Sequence, residues 1–180
     1  MEDVDQWLQV HRPACGEVSS KLKDAIAEFV LVWSLFEHMV LTPANDRLHR
    51  EAALVPEGYV KNNYDLIEEA ALRGVANIAR APVFQEAFAY HRTRTFDGVN
   101  FSEHLDHLIE EGKPSRARIK AIYDGTHTGY RAEIAALLHV AYCLRTNLIH
   151  GFKWASGLQN QEDNFRHATQ VLMLAIDNPA

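Results

Sequence analysis

Arginine, asparagine, histidine and lysine lie close together in one short stretch of this chain. Residues 144 to 154 read LRTNLIHGFKW, which includes Arg145, Asn147, His150 and Lys153. Arginine presents a rigid fork of donors to phosphoryl oxygens, histidine can move a proton near neutral pH, and asparagine can orient either of them. These residue types therefore predict a site that handles a phosphate group.

RNA is a phosphate polymer that such a group of residues could cleave with little further help. The ribose 2′-hydroxyl is itself the nucleophile, so it needs only deprotonation and stabilisation of the charge that develops at phosphorus. We therefore interpret the stretch as a candidate RNA-cleavage site.

The spacing of Arg145 and His150 limits how one copy of the chain can use both. The two positions are five apart in the sequence, so on an ideal helix their side chains point roughly 140° away from each other. The helix could unwind at Gly151 so that His150 turns back, or two copies could pool their residues about a twofold axis. The second arrangement predicts a homodimer.

Helices are expected to position this site, because apolar residues recur every three or four positions along most of the chain. The first predicted helix carries such residues from Leu22 to Val40, with Ser19 or Ser20 as its cap and Thr42-Pro43 at its end. Further helices are predicted over 59–80, 83–94, 102–111, 115–123 and 130–150, from Gln161 or Glu162 onwards, and in a short segment after Pro43. No pattern predicts a strand. The expected fold class is all-α, a helical bundle of four to five main helices with additional short helices, in a single domain over residues 1–180.

Composition and charge exclude several classes of protein. The chain has 180 residues, of which 47% are hydrophobic, so it can bury a core without a disulfide or metal staple, and Cys15 and Cys143 are expected to be free thiols. The formal charge of −6 gives no long-range attraction to nucleic acid or an anionic membrane, so RNA contacts must be local. No apolar stretch approaches the roughly 20 residues of a membrane-spanning helix, and the acidic N-terminus is unlike a signal peptide. We expect a cytoplasmic protein without a membrane partner.

The same stretch resembles the HEPN domains found in nucleases, toxins and defence proteins. The signature of that family is an arginine, four residues and a histidine, which stands here as Arg145-Thr-Asn-Leu-Ile-His150. Gly151-Phe-Lys153 is similar to the glycine and basic residues that often follow the signature. Upstream, Phe29-Val-Leu-Val-Trp-Ser-Leu-Phe-Glu37 is similar to the aromatic-rich helix, ending in an acidic residue, that many members place near the motif.

The resemblance implies a four- or five-helix bundle, a homodimer with the motif at its interface, and endoribonuclease activity that needs no metal and no cofactor. Arg145 would bind the scissile phosphate, His150 would act as general base or acid, and Asn147 and Glu37 would be supporting residues. The products would carry a 2′,3′-cyclic phosphate and a 5′-hydroxyl. The family also implies a toxin or stress-defence role, with a cognate antitoxin as a further partner.

One position departs from the family pattern. Active members usually carry asparagine, aspartate or histidine directly after the arginine, and this chain has Thr146. Threonine can still form hydrogen bonds to a substrate. The alternatives are a non-catalytic HEPN-like module that binds RNA or a protein, and a structural or regulatory helical protein that matches the motif by chance.

Three other groups of residues have a functional and a structural interpretation. Arg116 and Arg118, in the basic stretch 113–120, are with His91-Arg-Thr-Arg94 the candidate contacts to the RNA backbone, or else belong to an exposed basic helix. Lys153 is a further candidate contact to the substrate. Glu37, on an apolar face, either pairs with a cation such as Arg145 or is exposed at a helix end. His104 and His107 favour a solvated helix face over a metal site, because no zinc-ligand spacing occurs.

Overall fold

The computed structural model describes residues 10, 18–42, 63–72, 75–149 and 160–178. Within these ranges the chain forms eight α-helices and one π-helical segment and no β-strand, so the predicted all-α class is confirmed. The elements are, in chain order, α1 (Ser20–Phe36), the π-helical segment (Glu37–Leu41), α2 (Asn63–Ala70), α3 (Val75–Arg80), α4 (Pro82–Thr95), α5 (Glu103–Leu108), α6 (Pro114–Tyr123), α7 (Tyr130–Ile149) and α8 (Glu162–Asp177). The longer helices α1, α4, α6, α7 and α8 make up the bundle, and α2, α3 and α5 are the additional short helices.

Helix α1 begins and buries its apolar face as its sequence predicts. The Oγ of Ser19 accepts a hydrogen bond from the backbone N–H of Leu22 at 3.2 Å, which satisfies one of the donors that a helix start leaves open. Phe29, Trp33 and Phe36 are buried along one stripe. The ring of Phe29 packs against Phe165 of α8, with 5.3 Å between the ring centroids.

The chain continues from α1 into a segment that is not a regular α-helix. From Glu37 to Leu41 the backbone is π-helical, and the N–H of Thr42 donates to the carbonyl of Glu37, five residues earlier. The Thr42 hydroxyl donates to the same carbonyl at 2.9 Å. Single π turns inside helices are frequent at functional sites. Here the π turn begins at Glu37, the acidic residue that the sequence analysis identifies as a candidate site residue.

Helix α7 lies in the middle of the bundle. It packs against α2, α3, α4, α5, α6 and α8. Its residues from Ile134 to Ala141 are buried on every side, including His139. A helix that is apolar all round is one that the protein surrounds. Several alanines along it allow the neighbouring helices to approach closely, and Arg145 and Asn147 lie in its last turns.

Two predicted boundaries are wrong. The helix predicted over 59–80 is two helices, because the backbone turns at Ala71 and Leu72, just before Gly74, a residue of low helix propensity. The helix predicted to reach residue 111 ends at Leu108, because Ile109 adopts an extended conformation and is buried. The short segment after Pro43 and the cap at Gly151 lie outside the described residues.

Candidate functional site

Arg145 and Glu37 form an ion pair between α7 and the π-helical segment. The Nη2 atom of Arg145 lies 3.6 Å from Oε1 of Glu37, and the side chains are 31% and 45% exposed. Both arrangements that the sequence leaves open for Glu37 are observed in part, because it pairs with Arg145 and is also half-exposed at the end of α1. Two residues that are far apart in the chain and that carry the family resemblance therefore meet at one surface.

The geometry of this pair leaves Arg145 available to a ligand. Charge-assisted N–H···O bonds are about 2.7–2.9 Å long, so the 3.6 Å separation is an ion pair without a tight hydrogen bond. A half-exposed pair of this kind contributes about 0–1 kcal/mol to stability. The Nε of Arg145 is buried and has no hydrogen-bond partner among the described residues. The pair therefore orients the guanidinium more than it stabilises the fold.

Asn147 is tied to a neighbouring helix. Its Nδ2 donates to the carbonyl of Leu108 at 3.0 Å and to that of His107 at 3.4 Å. These carbonyls end α5 and have no partner within that helix, so the asparagine caps it. The two donor hydrogens of the side-chain amide are thereby engaged with backbone. A supporting role of Asn147 toward a substrate would have to use its Oδ1.

Thr146 is half-buried beside Arg145. Its Oγ1 is buried and makes no hydrogen bond in the part of the chain that the structure describes. His150 and Lys153, the other predicted site residues of this stretch, lie outside the described residues, which stop at Ile149 and resume at Asn160. Of the predicted site residues in this stretch and on the first helix, the structure describes Arg145, Thr146, Asn147 and Glu37.

Arg116 is occupied by contacts within the protein. Its Nη1 donates to the carbonyl of Ile109 at 2.7 Å and reaches that of Leu105 at 3.4 Å, and its Nη2 contacts the carboxylate of Asp106. The hydrogen bond from Arg116 holds the pKa of Asp106 below its ordinary value. Arg116 therefore caps α5 from the side of α6, as Asn147 does from α7.

Arg118 belongs to a second internal cluster. Its Nε lies 3.5 Å from Oε1 of Glu68, and the same oxygen lies 3.4 Å from Nε2 of the buried His139. Burial raises the pKa of Glu68, but the neighbouring imidazole of His139 and the charge of Arg118 outweigh it, and the pKa is lowered. The sequence predicts Arg116 and Arg118 together as RNA contacts, and the structure gives each guanidinium a partner in its own protein.

A cleft lies beside the Arg145–Glu37 pair, and the sequence analysis did not identify it. It has a volume of about 310 Å³. Its lining residues are Trp33, Glu37, Leu41, Thr42, Leu66, Ile67 and Tyr142. Trp33 lies one turn before Glu37, and Tyr142 lies one turn before Arg145, with 6.1 Å between the two ring centroids. The i, i+4 and i, i+3 spacings of an aromatic and a charged residue on two helices were the available signal.

Two histidines form a pair that the sequence analysis did not predict. His91 is predicted there as part of an RNA contact, but the structure places it in the core. His91 of α4 and His167 of α8 are buried, and Tyr90 packs on His167 with 4.5 Å between ring centroids. Burial lowers the pKa of His91 to about 3, and the positive charge of a protonated His167 acts in the same direction. Burial also lowers the pKa of His167. These imidazoles are neutral at physiological pH, and the cluster lies in the core.

The described residues form neither a cluster of metal ligands nor a membrane-spanning helix. Across the described ranges, three or more His, Cys, Asp or Glu side chains do not come together in a way that could hold a metal ion. In the same ranges, none of the helices combines the length and apolar character needed to cross a membrane. Comparison of the chain with known protein families, with curated proteins and with solved structures found no match. The HEPN resemblance therefore stays a prediction that rests on the residues quoted for it.

Proposed function

We propose that this chain is a HEPN-type endoribonuclease that works in the cytoplasm as a homodimer and cleaves RNA without a metal or cofactor. The observation that carries the proposal is the half-exposed ion pair between Arg145 and Glu37. It joins the arginine of the signature to the acidic end of the aromatic-rich helix. In that role the protein would be a toxin or defence factor, and a cognate antitoxin would be its natural inhibitor.

Arg145 is the group that would bind the scissile phosphate. Its guanidinium is one-third exposed and only loosely engaged by Glu37. A phosphate offers it shorter, charge-assisted hydrogen bonds and so competes effectively with the carboxylate. During attack, negative charge grows on the phosphoryl oxygens, and a fixed cation stabilises the transition state more than the ground state.

His150 would carry the proton transfers. As general base, an imidazole removes the proton of the ribose 2′-hydroxyl, whose oxygen then attacks the adjacent phosphorus. As general acid, an imidazolium donates a proton to the departing 5′-oxygen. The bond to that oxygen breaks, which leaves a 2′,3′-cyclic phosphate and a 5′-hydroxyl. Two copies of the chain supply two imidazoles, one for each step, and this is why the proposal includes the homodimer.

Two observations favour a second candidate, a non-catalytic module that binds RNA or a protein partner. The side-chain amide of Asn147 donates to two backbone carbonyls. Arg116 and Arg118 are each engaged within the protein. With Thr146 at the position where active members carry another residue, these contacts leave fewer groups for catalysis than the family pattern provides.

The deciding experiment is RNA cleavage by the purified full chain in EDTA. Arg145→Ala and His150→Ala are each expected to lower the cleavage rate at least 100-fold, as loss of an oxyanion stabiliser or a general acid–base residue does. Arg131→Ala on α7 and His127→Ala are matched controls, because both residues are exposed, and both variants should cleave at the wild-type rate. End-group analysis should find 2′,3′-cyclic phosphates.

The same experiment separates the candidates. If Arg145→Ala cleaves RNA at the wild-type rate, the proposed function is rejected. RNA that is bound but not cleaved would favour the non-catalytic binding module. If the chain neither binds nor cleaves RNA, the remaining explanation is that it matches the motif by chance. Sedimentation of the wild type and of Arg145→Ala tests the homodimer directly, since both should sediment as dimers.

A further inference from the structure

The cleft beside Arg145 has the size and lining of a site for one flat ring system. Ligand pockets in proteins begin at about 300 Å³, and this cleft has about 310 Å³. Trp33 and Tyr142 form part of its wall at an interplanar angle of 48°, and Leu41, Leu66 and Ile67 supply apolar surface. RNA-binding proteins stack unpaired bases on such aromatic side chains.

Glu37 is the acidic residue among these lining residues. Its carboxylate is 45% exposed, and one of its oxygens faces Arg145. A carboxylate accepts hydrogen bonds and donates none when ionised. It therefore repels anionic groups from the cleft and selects a ring that presents N–H donors on its edge.

Guanine is the RNA base that fits this requirement. Its N1–H and N2–H₂ groups are adjacent and parallel, so one carboxylate can accept from both. Adenine and cytosine each offer one amino group beside an acceptor, and uracil offers one imide N–H between two acceptors. With any of those three bases, one oxygen of the Glu37 carboxylate would face an acceptor atom of the base instead of a donor.

Trp33 supplies a second, independent observation. Its side chain is 3% exposed, and its Nε1–H is buried without a hydrogen-bond partner among the described residues. An unmet buried donor is costly. Because Trp33 lines the cleft, an occupant that offers an acceptor favours a shift of the indole that brings this N–H to it. Guanine carries the acceptors O6 and N7 as well as its two donors.

We infer that the cleft is a guanine-binding subsite, in which Glu37 accepts hydrogen bonds from N1–H and N2–H₂ and Trp33 and Tyr142 contact the ring. The inference rests on the proposed function, because the guanine belongs to the RNA whose phosphate Arg145 holds. Arg145 and Glu37 are 3.6 Å apart, so one nucleotide can place its phosphate at Arg145 and its base at Glu37. Cleavage is thereby directed to phosphates attached to guanosine.

Mononucleotide binding to the full chain tests this subsite without requiring catalysis. Isothermal titration in EDTA would compare the 3′-monophosphates of guanosine, inosine, adenosine, cytidine and uridine. A bidentate contact to a base edge discriminates by about 5- to 150-fold, so guanosine should bind at least fivefold more tightly than adenosine, cytidine or uridine. Inosine lacks the N2 amino group and should fall between guanosine and adenosine.

Variants assign the preference to the cleft. Glu37→Gln should lower the affinity for guanosine monophosphate to that for adenosine monophosphate. Glu28→Gln, at an exposed glutamate of α1 that does not line the cleft, should leave both affinities unchanged. Trp33→Phe keeps an aromatic ring but removes the N–H, and should weaken guanosine binding with the circular dichroism spectrum preserved.

The outcomes separate this inference from the proposed function. Equal affinity for all nucleotides, no binding of any, or a guanosine preference that survives Glu37→Gln overturns the subsite, whatever the cleavage assay shows. A guanosine preference that depends on Glu37, together with no cleavage product, supports the subsite and rejects the ribonuclease. Arg145→Ala should weaken every monophosphate to the same extent and keep the guanosine preference.

Discussion

His91 on α4 and His167 on α8 face each other in the core with 6.2 Å between their ring centroids, and each side chain is 4% exposed. The Nε2 of His91 has no hydrogen-bond partner in the part of the chain that the structure describes. Two protonated imidazoles at this separation would repel each other, and neither could be solvated. The cluster therefore binds protons far less readily than the unfolded chain does.

We expect mild acid to destabilise the protein through this pair. Burial lowers the pKa of His91 from 6.5 in the unfolded chain to about 3 in the folded protein. Between these values the unfolded state binds a proton that the folded state does not, so the free energy of unfolding falls as the pH falls. The expected slope for His91 is about 1.4 kcal/mol per pH unit well below pH 6.5. Urea unfolding at pH 7.5, 6.5, 5.5 and 5.0 measures it.

Charged groups near His91 and His167 also act on their pKa values, so the test needs a variant at each of two histidine positions. The charge of Arg94 lowers the pKa of His91 further. For His167, the charge of Arg166 lowers the pKa, and the charges of Glu86 and Asp163 raise it. His91→Phe removes one titrating group and should flatten the slope between pH 5 and 6.5. His127→Gln, at an exposed position, should keep it. An unchanged slope in His91→Phe would show that His91 takes up no differential proton.

Glu68 is expected to contribute to stability in a different pH range. Its carboxylate lies between Arg118 and His139, and its folded pKa is lowered. Its contribution is therefore fully present above its unfolded pKa, 4.5, and is lost as the pH falls through the folded value. Glu68→Gln should lower the free energy of unfolding at pH 7 by about 1–3 kcal/mol, because the partly buried guanidinium of Arg118 loses its counter-charge.

Thermal and urea unfolding at pH 7 check the effect of Glu68→Gln. The matched control is Glu28→Gln on α1, an exposed glutamate for which we expect a change within about 0.5 kcal/mol. Equal stability of the two variants would mean that the Glu68 cluster is only a surface arrangement of charges. Arg118 would then be free to serve the RNA contact that the sequence predicts.

Local patterns in the sequence predict the helices, and long-range packing decides the site. The cap at Ser19, the buried stripe of α1 and the start of α4 at Pro82 follow from residue types and spacing within one helix. Glu37 is conspicuous in the sequence because a carboxylate on an apolar face needs a partner. Its pairing with Arg145 follows once both residues are assigned to one site.

The cleft and the histidine pair could not be predicted in the same way. The cleft depends on how α1 lies against α7, and on a π turn that changes the register of the side chains after Phe36. His91 and His167 meet only because α4 packs on α8. Arg116 looks like a surface cation in the sequence, since nothing local indicates that Ile109 leaves its carbonyl open for capping.

Asn147 should matter for stability through its contact with α5. Asn147→Ala leaves the carbonyls of His107 and Leu108 without the amide that caps them. We expect the free energy of unfolding to fall by about 1–2 kcal/mol. Asn77→Ala, at an exposed position on α3, is the control and should change it by less than about 0.5 kcal/mol. If Asn147→Ala abolishes cleavage without any loss of stability, the residue acts on the substrate instead.

Thr146 should show opposite effects on stability and on activity. Its buried Oγ1 has no hydrogen-bond partner in the described part of the free protein, and a hydroxyl in that state costs free energy. Thr146→Val removes the hydroxyl and keeps the shape of the side chain. The free energy of unfolding should rise by up to about 1 kcal/mol.

RNA cleavage by Thr146→Val should nevertheless slow, by about fivefold, if the hydroxyl donates to the substrate that Arg145 holds, because one hydrogen bond contributes about 1 kcal/mol. A site that gives up stability for function shows this combination. Thr93→Val, an exposed threonine on α4 whose hydroxyl donates to the carbonyl of Ala89, should leave cleavage unchanged. Slower cleavage with lower stability would mean that Thr146 serves only the fold. Unchanged cleavage would remove Thr146 from the proposed substrate contacts.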